Sequence, residues 1–265
     1  MDFGLHDKVA LVAASSQGLG RAIAEELAIE GAALVLCARG AERLEKTCDA
    51  IVASAGVPVL GVAADLTAAG DAERVVQAGI DRFGRIDILV TNVGGPPAGS
   101  FETLTPEMWE EATRLLLTSV LNLTREVLPG MMERRWGRIL NVTSIAAKQP
   151  VDNLMLSNSL RAAVTGFART LANEVAHFGI TVNNILPGYT RTERLEELAQ
   201  SMAQRESDTT TTADVTASWK QQIPMRRLGE PREFAALAAF LASERASYIT
   251  GSSIAVDGGW IRALT

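Results

Sequence analysis

The stretch VALVAASSQGLGRAIAEELA, Val9 to Ala28, decides the fold. It opens with an apolar run short enough for a strand buried on both faces. A turn carrying Gly18 and Gly20 follows, then a helical segment. That order brings backbone amides and the positive end of a helix dipole to one point, which suits a pyrophosphate. A Gly-x-Gly turn between strand and helix also occurs as tight packing alone, so the stretch by itself leaves both open.

Outward from it the rhythm repeats. The runs ALVLCA, PVLGVAA, IDILVTN, GRILNVT, ITVNNIL and SSIAVDG are strand-like, with helical patterns such as AERVVQAGIDRFG between them. Gly31, Gly84 and Gly179 stand where helices should end. Continuous apolar strands imply a parallel sheet covered on both faces. Alternation with right-handed crossovers predicts one α/β domain, a Rossmann-like doubly wound parallel sheet of seven strands. A chain of 265 residues, 47% hydrophobic, buries a large core without staples. One segment breaks the pattern: residues 190–223 are polar and follow Pro187-Gly188. They should lie over the carboxyl edge of the sheet, where ligands bind. A functional lid and, at the run of four threonines, a tolerated insertion both fit.

The formal net charge of -6 argues against nucleic acid or an anionic membrane as partner. Cys37 and Cys48 are the only cysteines, and His6 and His177 the only histidines. Their spacing matches neither a disulfide framework nor a metal motif, so no metal is expected. The first apolar run is too short and wrongly flanked for a signal peptide, and no run approaches a membrane span. A cytoplasmic protein acting on a small molecule is expected.

Further motifs follow in a fixed order. AASSQGLG runs from Ala13 to Gly20, ADLT contains Asp65 and Leu66, and TNVGG contains Asn92, Val93 and Gly94. NVTS ends at Ser144, PGYTRT runs from Pro187 to Thr192, and RRLGEPREFAALAAFLASERASYITGSSIAVDGGW lies near the C-terminus. This order resembles the short-chain dehydrogenase/reductase family over essentially the whole chain, and within it the 3-oxoacyl-[acyl-carrier-protein] reductase-like members. The resemblance implies a dinucleotide site formed by Ser15, Ser16, Gln17, Gly18, Leu19, Gly20, Asp65, Leu66, Asn92, Val93, Gly94, Pro187, Gly188 and Thr192. It puts Asp65 on the adenine amino group and implies a homo-oligomer, a tetramer. Two residues depart from the pattern: Ala14 stands at a usual glycine, and Val93 at a usual small residue. The strand ALVLCAR ends in Arg39 with no acid. A guanidinium there can pair with a 2′-phosphate, so NADP(H) is favoured over NAD(H).

The family's active site is Asn, Ser, Tyr and Lys, and of these only the serine, Ser144, is kept. The Tyr and Lys positions fall on Ser157 and Arg161, four apart on one face of the helix LSNSLRAAVTGFARTLANEVA. The Asn position falls near Leu116. Neither Tyr189 nor Tyr248 has a lysine four residues on, although Tyr189 can face the nicotinamide pocket. Reduction of a carbonyl makes an alkoxide that must be protonated. A serine hydroxyl is a much weaker acid than a phenol, and arginine stays protonated. Lys148, four residues past Ser144, is the candidate stand-in acid. Three functions follow: an oxidoreductase acting on a carbonyl or alcohol with a rebuilt acid; a catalytically impaired dinucleotide-binding homologue, acting as sensor or scaffold; and non-redox chemistry in the same pocket.

Overall fold

The computed structural model describes residues 2–206 and 209–264. Residues 207 and 208, inside the expected lid, lie outside the described residues.

Each of the seven apolar runs forms a strand: β1 (Val9–Ala13), β2 (Ala33–Ala38), β3 (Val59–Ala63), β4 (Ile88–Thr91), β5 (Gly137–Val142), β6 (Ile180–Pro187) and β7 (Ser253–Val256). All pair in parallel, in the order β3-β2-β1-β4-β5-β6-β7. Alternate β1 residues serve opposite faces. Ala10 and Val12 pack with α1 (Gly18–Ile29) and α9 (Pro231–Ala242). Val9, Leu11 and Ala13 pack with α3 (Asp71–Phe83), α5 (Ser119–Arg134) and α6 (Met155–Val175). Two buried faces explain why the strands read as unbroken apolar runs. Gly31, Gly84 and Gly179 all adopt positive φ just past their helices, as their positions predict.

Polar side chains pin the register on one side of the sheet. Thr91 Oγ1 donates to Asn141 Oδ1 at 2.8 Å, Asn141 Nδ2 to Asn184 Oδ1 at 3.2 Å, and Asn184 Nδ2 to Ser253 Oγ at 3.0 Å. These residues are direct register partners from β4 to β7. A one-residue slip would break the row and strand buried amides, at a cost of about 1–3 kcal/mol for each unpaired group.

Connections at the carboxyl edge carry the site. α2 (Ala41–Ala55) follows β2, and α4 (Pro106–Thr113) leads into a π-helical turn, Arg114–Thr118, before α5. The polar segment after β6 is helical: α7 (Glu193–Glu206) and α8 (Thr212–Gln222). They close on one another through Ala199, Ala203, Val215 and Trp219. Trp219 stacks on Tyr189, with ring centroids 4.9 Å apart, and Trp260 meets Tyr189 edge-on at 6.0 Å. Among the described residues no helix is long and apolar enough to cross a membrane.

Candidate active site

The strand order reverses between β1 and β4, so their following connections run to opposite sides and leave a crevice at the carboxyl edge. A cleft of about 850 Å³ occupies it. Ser16, Gln17, Arg39, Asp65, Leu66, Asn92, Val93 and Gly94 line its wall, eight of the residues singled out from the sequence. Gly18 and Gly20 form the turn into α1. A side chain at Gly20 would collide with the Ala14 carbonyl and come within 2.8 Å of Asn92 Nδ2. Ala14 itself sits at φ +48°, so the methyl at the usual glycine is held in the left-handed region. Ser15 turns away from the cleft: it is fully buried, and both its amide and its hydroxyl donate to the Cys37 carbonyl. Leu19, half-buried on the first turn of α1, packs against the core.

The far end of β2 carries a cationic rim. Arg39, Arg43 and Lys46 all line the cleft; Glu42, the acid among them, is bound to Lys46 at 2.6 Å. Sequence reading found Arg39 and missed Arg43 and Lys46, which stand on the first two turns of α2 just after it. Asp65 is locked by Thr67, whose hydroxyl and amide donate to Oδ1 at 2.7 and 3.0 Å. Those bonds hold its carboxyl below the usual range, with Arg39 a smaller cause. The buried Gln17 Oε1 has no partner among the described residues, an acceptor open to a hydroxyl of a bound ligand. A dinucleotide therefore fits the residues present: a glycine turn at a helix N-terminus, an orphaned acceptor and a cationic rim.

The residues expected to be catalytic lie past the end of β5 and on α6. Ser144, two residues past β5, caps the short 3-10 turn Ile145–Ala147, its Oγ accepting from the Ala146 amide at 3.1 Å. That leaves its proton free to donate. Ser157 is buried on the first turn of α6, and its hydroxyl makes no side-chain hydrogen bond among the described residues. Arg161, one turn on, donates from Nη1 to the Val142 carbonyl at 2.9 Å. Burial, and secondarily the charge of Arg194, pushes its guanidinium down to about 10. Leu116 lies in the π-helical turn and is buried with Ala112, Leu156 and Leu160. Hydrocarbon therefore fills the position of the expected polar group. Lys148 is exposed on the turn that Ser144 caps, with no ion pair among the described residues.

The strap after β6 crosses this site. Pro187 and Gly188 end the strand, and the Gly188 amide donates to Val256. Thr192 comes within 3.7 Å of the point where Gly18 would carry a Cβ. Arg194 reaches across, its Nη2 donating to the Pro96 carbonyl at 3.1 Å. Sequence reading missed Arg194, because nothing local marks a contact spanning 98 residues. Tyr189, which could have faced the nicotinamide pocket, is instead held between Trp219 and Trp260 and lines a separate cavity of about 370 Å³. Burial raises its phenol further above the ordinary value, the wrong direction for an acid at neutral pH.

Comparison with known proteins agrees with this geometry. The family model described as enoyl-(acyl carrier protein) reductase matches residues 13–261. The 3-oxoacyl-[acyl-carrier-protein] reductase FabG of Vibrio cholerae is 38% identical over 255 residues, covering 96% of this chain and 98% of its own. L-sorbose reductase of Gluconobacter frateurii, solved with NADPH and L-sorbose, superposes with a TM-score of 0.94 at 35% identity and 100% coverage of both chains. Actinorhodin polyketide ketoreductase, solved as a variant with NADPH, gives 0.92 at 32% identity, covering 97% of this chain and 98% of its own. The motif order, the sheet and these full-length likenesses make the chain a member of the short-chain dehydrogenase/reductase family, an oxidoreductase of its 3-oxoacyl-[acyl-carrier-protein] reductase-like group.

Proposed function

We propose that the protein is an NADP(H)-dependent reductase of a carbonyl group whose proton donor has been rebuilt. The cationic rim of Arg39, Arg43 and Lys46 carries the cofactor choice, since it offers charge-assisted bonds to a 2′-phosphate where an NAD site needs an acid. The wall residues Ser16, Gln17, Asp65, Leu66, Asn92, Val93 and Gly94, the Gly18-Leu19-Gly20 turn, buried Ser15 beneath it, and Pro187, Gly188 and Thr192 would together hold the dinucleotide.

The nicotinamide, when bound, supplies the hydride. The chain's own residues must then stabilise negative charge on the carbonyl oxygen and protonate it. Ser144 offers a free hydroxyl proton and Arg161 a fixed cation, both at the end of β5. Ser157, buried one turn before Arg161 on α6, is too weak an acid to finish the reaction. Lys148, exposed on the Ser144 turn, gives a proton from Nζ to the oxygen and is recharged from water. Loss of a positioned acid costs roughly 10²–10⁴ in rate.

NADPH oxidation measured over ketones, quinones and β-keto thioesters tests this. Wild type should turn over at least one class, and Lys148→Ala should lower kcat ~10²-fold or more. Turnover that survives Lys148→Ala would sink the assignment of the acid. Ser157→Tyr with Arg161→Lys should lower the native activity; a gain instead would mark a damaged family site. A second function is favoured by Leu116, since the apolar cluster around it leaves no polar relay. In that case the chain binds NADPH as a sensor or scaffold, and every variant stays silent despite calorimetric binding. By family likeness we also propose a homotetramer in the cytoplasm.

A further inference from the structure

Two guanidiniums are anchored past the carboxyl ends of two neighbouring strands, β4 and β5. Arg161 is held by the Val142 carbonyl at the end of β5. Arg194 comes from the opposite side, on α7, and is held by the Pro96 carbonyl, a few residues past the end of β4. Its Nε and Nη2 lie 2.9 Å from where Gly95 would carry a Cβ, so only a glycine lets the fork settle there. β4 and β5 are neighbours in the sheet, and adjacent strands run ~4.8 Å apart. The two cations feel one another: the charge of Arg194 is, after burial, a cause of the lowered Arg161 guanidinium. Among the described residues no carboxylate pairs with Arg161. Two acids of α7 are placed by their contacts. Glu197 meets Arg194 at 3.4 Å on its exposed outer side, and the Glu193 carboxylate lies toward Gly18.

Like charges in a half-buried site repel until an anion enters. A guanidinium fork matches a carboxylate or phosphate through paired donors. We propose that Arg161 and Arg194 together bind an anionic oxygen group of the substrate, a carboxylate or phosphate carried close to the reacting carbonyl. The word substrate rests on the reductase function proposed above; the anion clamp itself does not. Ser157, one turn before Arg161, adds an unengaged hydroxyl beside it. The other oxyanion within reach is the pyrophosphate of the dinucleotide, and the experiment separates the two sources.

The full chain, with and without saturating NADP+, is titrated by calorimetry with malonate, inorganic phosphate and dimethyl malonate. Malonate or phosphate should bind at least tenfold more tightly than the neutral diester. Arg161→Met and Arg194→Met should each weaken anion binding roughly 10- to 100-fold, the range for a lost charged hydrogen bond. Their NADPH affinity should stay within about threefold, and Arg194→Lys should keep part of the anion binding by charge alone. Equal binding of malonate and its diester overturns the clamp. So does a loss of NADPH affinity with anion binding unchanged, which assigns the arginines to the pyrophosphate. Should Arg161→Met fail to fold, Arg194→Met decides alone, since Arg194 is exposed on its outer side. NADPH oxidation with a ketone, together with malonate binding that neither variant weakens, removes the clamp and leaves the reductase. Anion binding without NADPH oxidation does the reverse.

Discussion

Ala14 holds a methyl where the backbone asks for glycine. Its φ of +48° follows from the turn that must present amides at the head of α1, and the left-handed region costs an L-residue about 1–2 kcal/mol. Glycine returns ~0.5–1 kcal/mol of that through its freer unfolded chain. Ala14→Gly should therefore stabilise the protein by roughly 0.5–1 kcal/mol, read as a higher urea midpoint with unchanged slope. An unchanged or lower midpoint would show that the methyl has found packing that compensates. The departure was legible in the sequence as a methyl that either strains the turn or crowds the phosphates, and the backbone angle shows the strain. Leu116 was legible as a substitution, but not the π-helical turn that carries it or the apolar cluster that accepts it. Arg194 was not legible at all: its value comes from what stands opposite, and only the closed sheet decides that.

The N-terminus of α9 shows how an element depends on charge. Glu233 accepts from the Glu230 amide at 2.8 Å and pairs with both Arg227 nitrogens at 2.6 and 2.7 Å. Arg227 first, then the Glu230 amide, pull its carboxyl from 4.5 to about 2. A depressed carboxyl contributes stability above the unfolded value and loses it as the pH falls through the folded one. Stability should thus decline between pH 4.5 and about 2, and Glu233→Gln should flatten that part of the profile in acid denaturation. An identical slope in the variant would assign the decline to other carboxylates. Elements differed in how openly the sequence declared them. Strands buried on two faces wrote themselves as apolar runs, and all seven were recoverable. The segment after β6 did not, because α7 and α8 bury only a narrow inner stripe and expose the rest. Part of the threonine run, open to reading as a tolerated insertion, begins a helix: Thr211 caps α8, and Asp214 completes the capping box.

For the whole molecule, a ligand that binds only the folded state raises stability by about 2.7 kcal/mol at one hundred times its Kd. In a domain of this size each kcal/mol moves the melting temperature ~2–4 °C, so NADPH should raise it ~5–10 °C. Arg39→Ala should remove most of that rise and leave any smaller effect of NADH in place. Equal shifts from both cofactors, untouched by the variant, would show that the cationic rim does not discriminate. The stack of Tyr189, Trp219 and Trp260 adds something the chemistry does not require. Trp219 rides on α8, Trp260 follows β7, and Tyr189 joins them at the root of the strap. An indole in an apolar stack emits to the blue of one in water. If the strap lifts to admit a ligand, Trp219 leaves its stack and its emission moves red, so the protein carries a built-in optical gauge of its own opening.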